Sequence, residues 1–394
     1  MTHKIAIIFE GDVRDNKGLF NSVYHRVKEL MQYPEFEVGL YCIQKYDSAL
    51  IRLLRRSKKR ELINEVEVSG LKFNILWYKE TIRQHFSEEV LHLTPLSLSF
   101  LLGKWARLFS DYTYISAHSF LAGRLAYVVN VVYGTSFSIT WHGSDIHTHP
   151  SRNKYILKKT AKLINSANVN FFVSKGLLQI AQETFGSSFK GEVSYNGVSK
   201  DFKVLDKENR DTLRLKNSLY PHTKVVAYIG NFYPVKNAGV LPELFNSIRH
   251  KYDGDLVFWV IGGGKHSTPV LNKLVENRHI DFVFLENQEP EKMPGLMNCI
   301  DVLVVPSRKE GFSLVSAEAI ACGANVVGTD VCGVNEVLTK EFLVPFDENL
   351  VENMAEKVAY YLKNPKQQTL PKDFSWKQAA DKEYKAILRL SKTR

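Results

Sequence analysis

The strongest constraint on the fold is a regular alternation of short apolar runs with amphipathic stretches along the chain. The first cycle runs from Ile5–Phe9 through a helical pattern over Leu19–Met31 to Phe36–Ile43. A strand–helix–strand rhythm of this kind predicts parallel sheets covered by helices. Further apolar runs with the length of buried strands lie at Thr113–Ala117, Phe137–Trp141, Val169–Val173, Val225–Ile229, Leu256–Ile261, Phe282–Leu285, Val302–Val305 and Asn325–Val327.

A polar, charge-rich interruption between Gly197 and Thr223 divides this alternation into two series. A chain of 394 residues also has the length of two domains. We therefore predict two doubly wound α/β domains, at residues 1–200 and 201–374. Residues 375–394 have helical spacing of apolar side chains, and we expect a helix there that packs across the domains.

Composition indicates a packed globule, since 44% of the residues are hydrophobic and 24% are charged. The four cysteines form neither a C-x-x-C pair nor a zinc set with the histidines, which favours a reducing compartment. The apolar run at Ile5–Phe9 is too short for a signal peptide. The longest uncharged stretch, Leu125–Ser144, reads as a helix end, a turn and a strand rather than a membrane span. We expect a cytoplasmic protein.

The net charge is +10, and residues 1–200 contribute +9 of it. The strongest local contributor is the basic run Arg52–Arg60, which also contains Leu53 and Leu54. Such a run can meet anionic lipid headgroups or nucleic acid, or it can form a solvated helix face. The chain carries no nucleic-acid recognition motif that would favour the second of these.

The most informative segment is residues 306–328, which begins P-S-R-K-E-G-F-S. A strand ends at Val305, a polar loop carries Glu310 and Gly311, and a helix is predicted to begin near Ser313. Free amide groups at a helix start, beside a glycine at the carboxyl edge of a sheet, suit a bound phosphate. Glu318 lies farther along the helix, so two carboxylates can face one ligand at different depths. Carboxylates are good acceptors for sugar hydroxyls.

This segment closely resembles the signature of retaining glycosyltransferases of the GT-B fold, family 4 (glycosyl transferases group 1), in which seven residues separate two glutamates and the first glutamate lies in P-S-x-x-E-G-F. Four further segments reinforce the resemblance in order along the chain: W-H-G-S-D at 141–145, N-G-V at 196–198, the loop 230–237, and three glycines at 262–264. The resemblance implies two Rossmann-like domains facing across a cleft, with a C-terminal helix crossing back.

Site residues follow from the resemblance position by position. It implies that Glu310 and His142 act at the donor sugar, that Glu318 binds the ribose, and that Lys236 offsets charge on the leaving diphosphate. It places His142, Asp145 and Gly18 on the acceptor side. Donor-binding residues are implied to be Gly230, Asn231, Lys236, Gly263, Glu310, Gly311, Phe312, Ser313, Leu314 and Glu318, with backbone amides of 312–314 at the diphosphate.

Two loops depart from the family pattern. Asn231 stands where the family carries an arginine, so the bidentate guanidinium is missing from the diphosphate loop. Compensation by Arg308 or Lys309 is one way to restore the charge. Gly18 aligns with the second glycine of an N-terminal glycine pair, and Lys17 replaces the first.

One motif favours a metal. Asp253-Gly-Asp255 has the D-x-D form that metal-dependent glycosyltransferases use to hold a divalent cation. Asp253 precedes its strand, whereas the ligand site of a parallel sheet forms after the strands. We therefore expect no metal and no cofactor.

We predict a retaining, metal-independent hexosyltransferase. Its donor is expected to be a nucleotide diphosphate sugar, UDP-linked, carrying a hexose or N-acetylhexosamine. Its acceptor is expected to be a saccharide or lipid-linked saccharide, in surface polysaccharide or glycoconjugate synthesis, with an anionic membrane surface as a further partner and no nucleic acid. The alternatives are a GT-B nucleotide-sugar epimerase or hydrolase, which would turn over without an acceptor, and a basic nucleic-acid-binding protein with Rossmann-like domains.

Overall fold

A computed structural model describes residues 2–14, 18–56, 59–91, 96–152, 154–264 and 266–391. The chain divides into two compact units. The first comprises residues 1–197 with 376–394, and the second comprises residues 198–375. No helix in these ranges is both long and apolar enough to cross a membrane.

The first unit contains an eight-stranded sheet in the order β3-β4-β2-β1-β5-β6-β7-β8, in which β3 alone runs antiparallel to its neighbour. Its strands are β1 (His3–Glu10), β2 (Phe36–Asp47), β3 (Glu65–Val68), β4 (Leu71–Glu80), β5 (Tyr114–His118), β6 (Ser136–Trp141), β7 (Val169–Phe172) and β8 (Gly191–Val193). The helices between them are α1 (Gly18–Leu30), α2 (Ala49–Arg55), α3 (Ile82–His85), α4 (Leu96–Ala106), α5 (Phe120–Tyr133), α6 (Ser144–His147), α7 (Lys154–Ser166) and α8 (Lys175–Phe185).

The second unit contains a six-stranded parallel sheet in the order β11-β10-β9-β12-β13-β14, the common Rossmann order. Its strands are β9 (Lys224–Ile229), β10 (Leu256–Ile261), β11 (Phe282–Leu285), β12 (Val302–Val305), β13 (Asn325–Thr329) and β14 (Leu343–Val344). Its helices are α9 (Lys207–Lys216), α10 (Leu241–Lys251), α11 (Ser267–Glu276), α12 (Met293–Asn298), α13 (Leu314–Ala321) and α14 (Leu350–Lys363). The predicted fold class, two Rossmann-like α/β units in tandem, is confirmed.

Helix α1 shows how the apolar pattern sets the packing. Its buried residues Phe20, Val23, Val27 and Leu30 are three or four positions apart and so lie on one face. That face joins the core formed with β1, whose Ile5, Ile7 and Phe9 are fully buried. The predicted stretch at Leu125–Ser144 also folds as expected, since α5 ends before the left-handed Gly134 and β6 follows.

The last helix, α15 (Trp376–Ser391), returns to the first unit. Its Tyr384 ring stacks on Tyr33 with 4.0 Å between ring centroids, and Trp376 stacks on His25 of α1. Ala380 and Ile387 are completely buried in the same core. The chain therefore passes from the first unit to the second and back again.

Arg26 of α1 is a fully buried cation in this unit. Its guanidinium donates to the Ser194 Oγ and carbonyl at 3.0 and 2.8 Å, and to Asn196 Oδ1 at 3.2 Å. These bonds hold the segment that immediately precedes the first crossing between the units. A buried charge is stable only when it is paired or hydrogen-bonded in this way.

Candidate functional site

The strand order of the second sheet places two loops at one point. Strands β9 and β12 are parallel neighbours, so the loops that follow them, 230–237 and 306–313, leave from the same edge. The connections from β9 and β12 run to opposite sides of the sheet, because β10 and β13 lie on either side of this pair. A crevice at such a reversal is where open α/β sheets bind ligands.

Lys236 and Glu310 meet across these two loops. Lys236 Nζ lies 2.5 Å from Glu310 Oε1, and Ser307 Oγ donates to the same oxygen at 2.8 Å. The Glu310 side chain is only 9% exposed, whereas that of Lys236 is 26% exposed. The pair therefore neutralises a nearly buried carboxylate with a cation that solvent and ligands can reach.

Thr329 and Gly333, which the sequence analysis missed, hold the loop that carries Glu310 through hydrogen bonds. Thr329 Oγ1 donates to the Ser307 carbonyl at 2.5 Å, and the Ser313 amide donates to the Gly333 carbonyl at 3.0 Å. Gly333 has φ +80°, and a Cβ there would lie 2.8 Å from the Glu310 carbonyl oxygen. A larger residue cannot occupy that position without moving the loop. A glycine soon after a predicted strand was the available signal.

The Asn231 side chain forms a hydrogen bond within the turn that contains it. Its Oδ1 accepts from the Tyr233 amide at 3.2 Å, and its carbonyl accepts from the Tyr228 hydroxyl at 2.6 Å. Asn231 therefore supplies no positive charge. Arg308 does lie beside this loop, because its Nε donates to Asn237 Oδ1 at 3.2 Å and its amide donates to the Val235 carbonyl.

Two glycines lie in contact where β9 and β10 end. Gly262 has φ +132°, and a Cβ there would lie 2.0 Å from the Gly230 carbonyl oxygen. Position 262 therefore needs a glycine, as the predicted glycine run provides. A Cβ on Gly263 would lie 3.2 Å from Asn287 Oδ1, so this glycine is also closely packed.

Helix α13 begins at Leu314, directly after the loop that carries Glu310 and Gly311. The Ser313 and Leu314 amides donate to the Gly333 and Phe312 carbonyls, so both are occupied within the protein. Phe312 is buried, and its ring packs edge-on against Phe374 at 5.1 Å.

Glu318 lies one turn into α13, and its carboxyl group has no hydrogen-bond partner among the residues that the structure describes. Its carboxyl group is in apolar surroundings, although the residue as a whole is partly exposed. This desolvation raises its pKa to about 8. An unpartnered carboxyl of this kind is available for hydrogen bonding to a ligand.

In the first unit, the Asp145 carboxylate fixes the loop after β6 by accepting hydrogen bonds from two backbone amides of that loop. Its Oδ1 accepts from the Gly143 amide at 2.9 Å and from the His142 amide at 3.2 Å. Burial raises the Asp145 pKa to about 6, and these backbone bonds act against the rise. Gly143, at φ +135°, supplies the backbone conformation that brings the two amides to the carboxylate. Asp145 thus shapes the loop that carries His142.

His142 lies against a second histidine that the sequence analysis missed. Its Nε2 is 3.1 Å from Nδ1 of His118, the last residue of β5. Burial is the main cause that lowers the His142 pKa to about 3 and places the His118 pKa well below its usual value. Both rings are therefore neutral. A histidine directly after the predicted strand Thr113–Ala117 was the available signal.

Among the described residues, Gly18, Asp253 and Asp255 take no part in the contacts given above. Gly18 is the exposed first residue of α1, and a Cβ there would meet no atom within 4 Å. Its neighbour Lys17 falls outside the described residues. Asp253 and Asp255 lie in the turn between α10 and β10, as expected, and Asp255 is close to Thr223 and His222.

Comparisons with known proteins find similarity to glycosyltransferases in both sequence and structure. The family described as Glycosyl transferases group 1 matches residues 209–382. The chain is 24% identical over 361 residues to TuaC of Bacillus subtilis, a glycosyltransferase assigned provisionally to teichuronic acid biosynthesis, covering 91% of this chain and 88% of TuaC. It is 29% identical over 218 residues to the N-acetyl-alpha-D-glucosaminyl L-malate synthase of Bacillus anthracis, covering 54% of this chain and 55% of that protein.

Solved structures share the fold along the whole chain. The sucrose-phosphate synthase of Thermosynechococcus elongatus superposes with a TM-score of 0.78 at 16% identity, covering 100% of both chains. Anabaena HepE, solved in complex with UDP-glucose, superposes with a TM-score of 0.67 at 14% identity, covering 98% of this chain and 97% of HepE. At these identities the likeness concerns the fold.

The raised pKa of Glu318 predicts a stability change with pH. The folded protein holds this proton more tightly than the unfolded chain, so stability is lost as pH rises from the usual value of 4.5 to about 8. Glu318→Gln, which stays neutral, should therefore gain melting temperature relative to the wild type as pH rises through that interval, and the full difference should persist above it. Calorimetric melting across the interval measures this difference. The exposed Glu276→Gln controls for the loss of one charge, and a pH-independent difference for Glu318→Gln contradicts the prediction.

Proposed function

We propose that this chain, a GT-B glycosyltransferase of the group 1 type, transfers a hexose or N-acetylhexosamine from a UDP-sugar to a saccharide or lipid-linked saccharide with retention of configuration. The observation that carries the proposal is the Lys236–Glu310 pair at the strand-order reversal of the second sheet. TuaC supports a role in surface polysaccharide synthesis, and the HepE complex supports a UDP-linked donor.

Donor binding exchanges the partners of this pair. Lys236 is the more exposed member, so it turns toward the diphosphate, while the Glu310 carboxylate accepts hydrogen bonds from sugar hydroxyls. The sugar thus replaces the charge partner that Glu310 has in the free protein. Ser307 keeps its bond to Glu310 and holds the carboxylate in place during the exchange.

The charge that Asn231 lacks comes from Arg308 in this proposal. Arg308 is exposed and tied to Asn237, the neighbour of Lys236, so its guanidinium lies beside the loop that needs it. Two cations then offset the charge that develops on the leaving diphosphate. The start of α13 adds the positive end of a helix dipole, although its Ser313 and Leu314 amides already donate within the protein.

Glu318 binds the ribose. Its carboxyl lacks a partner among the described residues, and the residue as a whole is partly exposed, so a hydroxyl pair can approach it. Ribose hydroxyls that donate to it favour the ionised form and lower its pKa again. His142 acts on the sugar and acceptor side, on a loop that Asp145 closes.

We expect transfer to persist in EDTA, since Asp253 and Asp255 lie in a turn before β10 rather than at the carboxyl edge of the sheet. Initial rates with and without chelator measure this, and Asp253→Asn should match the wild type. The metal-independent mechanism is contradicted if EDTA abolishes activity and Mg²⁺ or Mn²⁺ restores it. Donor turnover at the same rate without an acceptor would instead identify a hydrolase or epimerase.

Substitution of the two glutamates should have different effects on UDP affinity and on kcat/KM. Glu318→Ala should weaken UDP and UDP-sugar alike by roughly 1.5 to 3 kcal/mol, since both carry the ribose. Glu310→Ala should leave UDP affinity nearly unchanged, because Lys236 is then free for the diphosphate, and should sharply lower kcat/KM. Calorimetry of UDP beside initial rates separates the two, with Glu276→Ala as the control. Equal loss of UDP binding in both variants contradicts the placement.

A membrane-facing surface also belongs to the proposal. In α2, Leu50, Leu53 and Leu54 are 53%, 75% and 70% exposed. Part of the basic run is used internally, because Arg55 pairs with Glu80 and Asp47, and Arg60 pairs with Asp12. The exposed leucines therefore supply more of the attraction than the number of basic residues suggests, and the charges left over favour anionic lipid.

Leu53→Ser with Leu54→Ser should reduce sedimentation with phosphatidylglycerol vesicles at least tenfold, at roughly 1.5 to 3 kcal/mol for each buried leucine. Salt should weaken binding of the wild type. The exposed Leu215→Ser of the second unit serves as the matched control. Equal sedimentation with neutral and anionic vesicles at low salt would rule the surface out.

A further inference from the structure

A chain of buried polar atoms leads away from His142 into the first unit. His142 Nε2 lies 3.1 Å from His118 Nδ1, and His118 Nε2 lies 3.2 Å from Ser116 Oγ. His118 is 1% exposed and Ser116 is fully buried, whereas His142 is partly exposed. His118 therefore has both ring nitrogens occupied, and His142 has one.

The hydrogen-bond directions along this series of polar atoms depend on one another, because each ring has only one hydrogen to donate. One hydrogen is shared between His118 and His142, and a neutral imidazole carries only one. If His142 donates from Nε2, its Nδ1 is an acceptor and His118 donates to Ser116. If His118 donates from Nδ1, then Ser116 donates to His118 and His142 presents an Nδ1–H donor. Each pattern fixes both rings together.

The groups around this chain are buried as well. Arg26 of α1 acts on both histidines through its charge, and Glu383 of α15 lies near Ser116. Burial raises the Glu383 pKa, and the Ser116 hydroxyl and Arg26 act against the rise. The Ser116 hydroxyl, at the far end from His142, therefore lies near Glu383 and away from solvent.

We propose that His118 is a positioning residue that fixes the orientation and the tautomer of His142, so that Nδ1 is the ring nitrogen that meets the sugar or the acceptor. The inference rests on the proposed role of His142 in transfer. Nδ1 of His142 has no partner among the described residues, so it is the atom left for a ligand. A histidine free to flip or to exchange tautomers would present the wrong hydrogen-bonding group part of the time.

Two polar variants test this inference. His118→Asn places an amide at the height of Nδ1, so it keeps a partner for His142 and loses Ser116. His118→Gln places its amide at the height of Nε2, so it keeps Ser116 and loses His142. The control is Thr140→Val on β6, whose Oγ1 is buried without a partner and which pairs in register with His118.

We expect His118→Gln to lower kcat/KM at least about tenfold and His118→Asn to stay within about threefold of the wild type. UDP affinity and the Thr140→Val rates should be unchanged. In ¹⁵N-histidine NMR spectra, His142 should show one tautomer in the wild type and in His118→Asn, and a mixture in His118→Gln. A purely structural role would lower stability and rate equally in both variants.

Equal rates for the two His118 variants, or the same His142 tautomer in all proteins, would overturn the inference. Normal turnover of His142→Ala is a different failure, because it removes the proposed role of His142 in transfer. The NMR comparison then decides the positioning effect alone, and an unchanged His142 tautomer in His118→Gln overturns it.

Discussion

The reversal of strand order between β9 and β12 is the constraint on which the site in the second unit depends. Two parallel strands end side by side there, and their chains then turn to opposite sides of the sheet. Residues far apart in sequence, Lys236 and Glu310, are thereby brought within 2.5 Å. The glycine contacts at 230, 262 and 333 are consequences of the same crowding, because several loops leave one sheet edge.

Ionisable groups at both sites are held away from their ordinary solution states. Desolvation keeps Glu318 protonated at neutral pH, and burial keeps His142 and His118 uncharged. The Glu310 carboxylate pairs directly with Lys236. In the proposed function these groups meet an anionic, hydroxyl-rich ligand, and little water then competes for them. Burial thus keeps Glu318, His142 and His118 uncharged, whereas an ion pair neutralises the charge of Glu310.

Local spacing predicted a large part of the architecture. The apolar faces of α1 and the buried runs of β9, β10 and β12 follow from periodicity, since a sheet or helix must bury its apolar side. The pattern did not predict β4, whose mixed polar and apolar residues pair with β2 over eight positions. Residues 306–318 indicated an anion site because a polar loop and a helix start lie within one short segment.

The sequence by itself determined the two α/β units and the residue types at the ends of their strands, because these depend on local periodicity and turn chemistry. The tertiary structure decided which side chains form ion pairs and hydrogen bonds with one another. It withdrew Arg55 and Arg60 from the basic run into ion pairs, committed Asp145 and Asn231 to their own turns, and set His118 against His142. Distances between residues of different loops depend on strand order and register, which a single chain of letters does not contain.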